Sequence, residues 1–136
     1  MDEDAELNVV TGGYLVRLQL EVVDDPDGGP IVLRARGVLD SGTAATLRAS
    51  SRFVAYHPAV IVELSEVKDI DQAGLGALVG LIRSVHETGG AIALCGAKPR
   101  VDSVLRVAGL ARAVTYKSTE AECRKALTPA LSPTLK

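Results

Sequence analysis

VIVELSEVKDIDQAGLGALVGLIRSV, Val60 to Val85, carries two periodicities in succession. Val60 to Leu64 is an apolar run broken only by Glu63, the pattern of a central strand covered on both faces. An acidic loop follows, ending in Asp71-Gln72-Ala73-Gly74. From there Leu75, Leu78, Val79, Ile82 and Val85 fall at helical spacing, and Gly89-Gly90 ends the helix. The expected unit is a strand, a tight acidic turn and a helix that starts at the end of the strand. Helix N-termini carry unpaired N–H groups and a partial positive charge. The turn is therefore suited to an anion, or to a residue that can become one.

Outward from this unit the pattern repeats. Tyr14 to Val23 alternates, with Val16, Leu18, Leu20 and Val22 on one face. Asp24 to Pro30 is turn chemistry, and Ile31 to Gly37 alternates again, so the two segments predict an antiparallel hairpin. Asp40-Ser41-Gly42-Thr43 offers helix N-caps, and Ala44, Leu47, Ser51 and Val54 form a stripe that His57-Pro58 halts. Ala91 to Cys95 reads as a buried strand. Pro99 opens a helix with Val101, Val104, Leu105 and Ala108 on one face, closed by Gly109-Leu110. Ala113 to Tyr116 reads as a short strand, and Thr119 with Glu122 has capping-box spacing before a last helix. The order β-β-α-β-α-β-α-β-α predicts an α/β fold. Its sheet is mixed and mainly parallel, with about five strands and about four helices. Residues 1–13 read as a flexible segment, 14–127 as the domain, and 128–136, with Pro129 and Pro133, as a flexible tail.

A chain of 136 residues with 47% hydrophobic and 24% charged residues suits one globular domain. Net charge is −2 and aromatics are 3% with no Trp, which argues against nucleic acid and anionic lipid. Cys95 and Cys123 lack metal or redox spacing and read as reduced core thiols. The start MDEDAEL has no basic n-region, and no apolar run approaches the ~18 residues of a membrane span. A cytoplasmic protein without membrane insertion is expected.

Gly74, Gly76 and Gly80 invite a dinucleotide reading. The third glycine falls one residue late, and no acid ends the following strand. Close helix packing at Gly76 and Gly80 is expected instead. The acids Glu63, Glu66, Asp69 and Asp71 have no His or Cys nearby for metal or acid–base work. Asp71 reads as a helix cap, and Glu66 and Asp69 as solvated loop charges. His57 and His86 lie apart, and no nucleophile elbow occurs. Arg34, Arg36, Arg48 and Arg52 read as a solvated face offset by acids. No catalytic residue, metal site or cofactor is expected.

The chain resembles the STAS domain, the fold of bacterial anti-sigma-factor antagonists. The resemblance spans residues 14–127. It rests on Gly37-Val38-Leu39-Asp40, on Val60 to Leu64 with Asp71, Gly74 and Leu75, on Gly89-Gly90 before Ala91 to Cys95, and on Val104 to Gly109-Leu110. In that family the turn reads Asp-Ser-Ser-Gly, and a kinase-type anti-sigma factor phosphorylates the first Ser to end binding. Here the two positions are Gln72 and Ala73, without hydroxyls. The resemblance implies a non-enzymatic module that binds an anti-sigma factor of the Ser/Thr kinase type. The partner surface would map onto Asp40, Ser41, Asp71, Gln72, Ala73 and Gly74. Other STAS roles are an accessory subunit of an ABC-type transporter or signalling assembly, and a small-ligand or nucleotide-binding module.

Overall fold

Alternation buries Leu18, Leu20, Ile31, Leu33 and Ala35 on one face of the first two segments, and the other face is largely polar except at Val32, which is buried on the opposite side. In the computed structural model, which describes residues 17–131, β1 (Leu18–Val23) and β2 (Ile31–Leu39) pair antiparallel. Tyr14 to Val16 and the 1–13 segment lie outside the described residues. Three further strands, β3 (Ala59–Ile70), β4 (Ala91–Cys95) and β5 (Thr115–Lys117), add in parallel in the order β1-β2-β3-β4-β5. The mixed, mainly parallel sheet with its opening hairpin is as expected.

Helices α1 (Ala44–Ala49), α2 (Ser51–Val54), α3 (Gln72–Glu87), α4 (Pro99–Val107) and α5 (Leu110–Ala113) pack on one face. Helix α6 (Glu120–Leu131) covers part of the other. The central strand divides its side chains between the two cores. Val60, Val62 and Leu64 join the large cluster, while Ala59 and Ile61 join Val32, Ala93, Cys95, Cys123 and Leu127 under α6. Both cysteines are buried and free, and the Cys123 thiol donates to the Leu94 carbonyl at 3.3 Å.

Several boundaries differ from the sequence reading. The first helix breaks at Ser50, a fully buried residue whose hydroxyl donates back to the Leu47 carbonyl at 2.6 Å. Such back-bonding competes with the helical ladder. The fifth strand starts two residues later than expected, because Gly109 (φ +83°) leads into the extra turn α5. Helix α6 runs on to Leu131, past the tail boundary set at Thr128, and residues 132–136 lie outside the described residues. The capping box forms as read: the Thr119 hydroxyl accepts from Glu122 N–H, and the Glu122 carboxylate accepts from Thr119 N–H, both at 3.2 Å.

The largest difference is in β3. Ser65 to Ile70, read as an acidic loop, continues the strand beside Arg36 to Leu39. Two register shifts, between Arg34 and Arg36 and between Gly37 and Val38, add extra residues to β3. Each bulge breaks the period of two. Leu64, Val67 and Ile70 all point inward at three-residue spacing, and Glu66 and Asp69 stay exposed. Those two acids pair with Arg36 at 2.6 Å and Arg100 at 3.4 Å.

The glycine expectation is also corrected. A Cβ at Gly76 or Gly80 would meet nothing within 4 Å, so neither serves close packing. Gly80→Ala is expected to raise stability by up to about 1 kcal/mol through helix propensity alone. A urea midpoint shifted upward at unchanged slope checks this. The close approach is at Gly74 instead.

Candidate functional site

Two turns meet at the end of β2 and β3. Asp71 is extended (φ −114°, ψ −171°), and its Oδ1 accepts the Gly74 N–H at 3.0 Å. One of the orphan donors of the 16-residue helix α3 is thereby satisfied. The Asp71 N–H donates in turn to the Leu39 carbonyl at 3.0 Å. That bond ties the head of α3 to the residue before Asp40. Gly74 is buried against the same carbonyl, which a Cβ would meet at 2.0 Å. The glycine is what lets the helix start this close to β2. Asp71→Ala is expected to cost about 1 kcal/mol, with most of it recovered by Asp71→Ser. Urea unfolding of the two variants measures the difference.

The second turn is built around Asp40 and Thr43. Asp40 Oδ1 accepts the Gly42 N–H at 2.9 Å. The buried Thr43 hydroxyl accepts the Asp40 N–H at 2.9 Å and donates to the Val38 carbonyl at 2.8 Å. Thr43 precedes α1 without capping it through its side chain. Its hydroxyl is spent on holding the turn. Arg17 forms a two-pronged ion pair with Asp40. The hydrogen bonds from Arg17 hold the Asp40 carboxyl below its ordinary range; desolvation, the next largest influence, opposes them, and the hydrogen bond from Gly42 adds a smaller lowering.

The six residues singled out from the sequence therefore fall on one pair of linked turns. Ser41, Asp71 and Gln72 are exposed, Asp40 and Ala73 are half-buried, and Gly74 lies beneath them. Gln72 is the first residue of α3, at the positive end of the helix, and the first turn holds no acid. Glu63 lies apart, bonded to Ser65 at 3.0 Å. Among the described residues, no group of three His, Cys, Asp or Glu could hold a metal ion. Among the described residues, no helix is long and apolar enough to cross a membrane.

Sequence reasoning missed two parts of this face. One is Arg17, paired across 23 positions of the chain, for which no local signal exists. The other is an apolar groove beside Asp71 and Gln72, walled by Ile70, Leu75, Val104 and Val107. Val107 is 88% exposed and is the visible clue, being a β-branched residue outside the buried stripe of α4. The four arginines do not cluster. Arg34 pairs with Glu120 at 2.9 Å and Arg36 with Glu66 on the sheet, whereas Arg48 and Arg52 lie on α1 and α2.

The family model described as STAS domain matches residues 18–123. A Paenibacillus polymyxa protein named anti-sigma F factor antagonist is 26% identical over 98 residues, 68% of this chain and 82% of that protein. An anti-sigma factor antagonist from Mycobacterium paratuberculosis has the same fold. Its TM-score is 0.73 at 21% identity, covering 82% of this chain and 94% of that one. A sulfate transporter family protein from Wolinella succinogenes gives a TM-score of 0.66 at 21% identity, covering 79% and 98% of the two chains. The matched span takes in all five strands and the linked turns at Asp40 and Asp71, and the chain belongs to the STAS domain family.

Proposed function

We propose that this chain is a non-enzymatic anti-sigma-factor antagonist whose binding is not switched off at the head of α3. The observation that carries the reading is Gln72, exposed as the first residue of α3 and tied through Asp71 to the Asp40 turn. A phosphate there would add a charge of about −1.5 to −2. The amide has no hydroxyl to accept one and carries no charge to imitate it. It corresponds to the unmodified state of the family position. Asp40, Ser41, Asp71, Gln72, Ala73 and Gly74 form the contact, and the apolar groove at Ile70, Leu75 and Val107 extends it. The partner is an anti-sigma factor of the Ser/Thr kinase type. The protein acts in the cytoplasm.

Affinity capture from the host bacterium with identification by mass spectrometry tests the reading. A kinase-type anti-sigma factor is expected, competed off by excess purified chain. Capture of a transporter subunit instead would favour the accessory-subunit reading, for which the fold shared with the Wolinella succinogenes protein speaks.

A further inference from the structure

The stretch between Asp40 and Glu63 contains no Asp or Glu, although the whole chain carries a net charge of −2. Its cations are Arg48 and Arg52, on α1 and α2. Ser50, at the break, keeps helical backbone angles (φ −68°, ψ −15°), so the two short helices run on nearly as one. Arg48 and Arg52 are then four apart on one side, with Ala45, Ala49 and Phe53 exposed alongside. Neither arginine forms an ion pair among the described residues, a state they share with Arg83 and Arg112, whereas Arg17, Arg34, Arg36, Arg100, Arg106 and Arg124 are paired.

Aromatic residues are scarce here, yet two are spent on this surface. Phe53 is 42% exposed and Tyr56 is 83% exposed. The Arg52 guanidinium lies 6.0 Å from the centre of the Phe53 ring. Tyr56 has φ +68°, a left-handed conformation that a bulky side chain rarely adopts. It is held there by its N–H, which donates to the Thr88 hydroxyl at 3.1 Å, at the end of α3. Thr88 in turn donates to the Val85 carbonyl at 3.1 Å, so the strained residue is anchored on a core helix. Helix-end electrostatics account for cations at the ends of α1 and α2. They do not account for the exposed rings or for the left-handed Tyr56.

We infer that the stripe formed by Arg48, Arg52, Phe53 and Tyr56 is a second interaction surface, one that docks an acidic, apolar-bearing segment of another polypeptide. The two unpaired guanidinium groups take carboxylates in the two-pronged geometry that arginine favours. The rings supply rigid apolar contact at low entropic cost. Two cations on a chain of net negative charge would release few counterions from a nucleic acid, which favours a polypeptide over RNA. The surface starts from the same turn as the Asp40 site and runs away from it along α1. It does not depend on which partner that site takes.

The test is titration of the full chain with an eight-residue peptide of Glu and Asp interleaved with Leu and Phe, followed by amide chemical shifts. Shifts confined to residues 45–57 and Thr88 are expected. Arg48→Gln with Arg52→Gln should weaken binding by about tenfold, the double change to Glu should abolish it, and Tyr56→Ala should weaken it at unchanged helix content. A peptide with Gln and Asn in place of the acids should not bind. Affinity should be unaltered when Asp2, Glu3, Asp4 and Glu6 are changed to amides. A large gain from that change would assign the stripe to the chain's own acidic segment and overturn the proposal. So would the absence of shifts at millimolar peptide, affinity insensitive to both arginines, or tighter binding of a single-stranded RNA of equal length.

Discussion

Gly74→Ala is expected to lower the unfolding free energy by about 3 kcal/mol or more, the upper end for overpacking a closed interior. The added Cβ would lie 2.0 Å from the Leu39 carbonyl oxygen and 2.4 Å from its carbon. Both are backbone atoms, and neither can move without disturbing the bond from the Asp71 N–H to the same oxygen. Relief requires α3 to slide away from β2. Leu78, Leu81 and Val85 of that helix are at most 1% exposed in the main core, so sliding opens voids along its length. Better helix propensity returns only about 1 kcal/mol. In a chain of this size the melting temperature should fall by roughly 10 °C. Thermal and urea unfolding measure it, and Gly80→Ala, which meets no neighbour, is the matched control. A Gly74→Ala protein as stable as the parent would mean that α3 does not start against Leu39.

Gln72→Glu is expected to weaken partner binding by about 10- to 100-fold, whereas Gln72→Ser should change it by no more than about threefold. The carboxylate would bring part of a phosphate's charge to a surface that already presents Asp71. Like-charge juxtaposition at an interface costs several kcal/mol, and each 1.4 kcal/mol is about tenfold in affinity. The same substitution should not harm the fold. An acid in the first turn of a helix is favoured by about 0.3–1 kcal/mol, and Gln72 is exposed, its side chain making no hydrogen bond among the described residues. Stability and affinity thus move in different directions, so calorimetric binding together with an unfolding curve separates an interface effect from a folding one. Equal affinities for the two variants would take this turn out of the interface.

Much of this was legible because the periodicities are local. The alternation of Leu18 to Val22, the apolar run at Val60 and the helical stripe to Val85 each fix an element without reference to distant residues. The Asp71 cap was legible for the same reason, since the carboxylate and the Gly74 N–H it accepts are three residues apart. What stayed hidden depends on pairing across the chain. Glu66, Lys68 and Asp69 look like a solvated loop, and only the bulges against Arg34 to Val38 turn them into strand. A Gly-x-Gly pattern likewise cannot say which glycine faces a neighbour. Gly74 faces Leu39, and Gly76 faces nothing. Arg17 meets Asp40 only once the hairpin has closed. The apolar groove is invisible for a related reason, because Leu75 and Val107 belong to different helices.

In the proposed function the head of α3 binds an anti-sigma kinase and cannot be switched by it. Incubation of the chain with the kinase-type anti-sigma factor and Mg-ATP, followed by calorimetric titration and peptide mapping, tests it most directly. An unchanged affinity and no phosphopeptide within residues 69–76 are expected, with the Gln72→Ser variant phosphorylated at residue 72 and released. Loss of wild-type binding after incubation, or a Gln72→Ser protein whose binding ignores ATP, would contradict it.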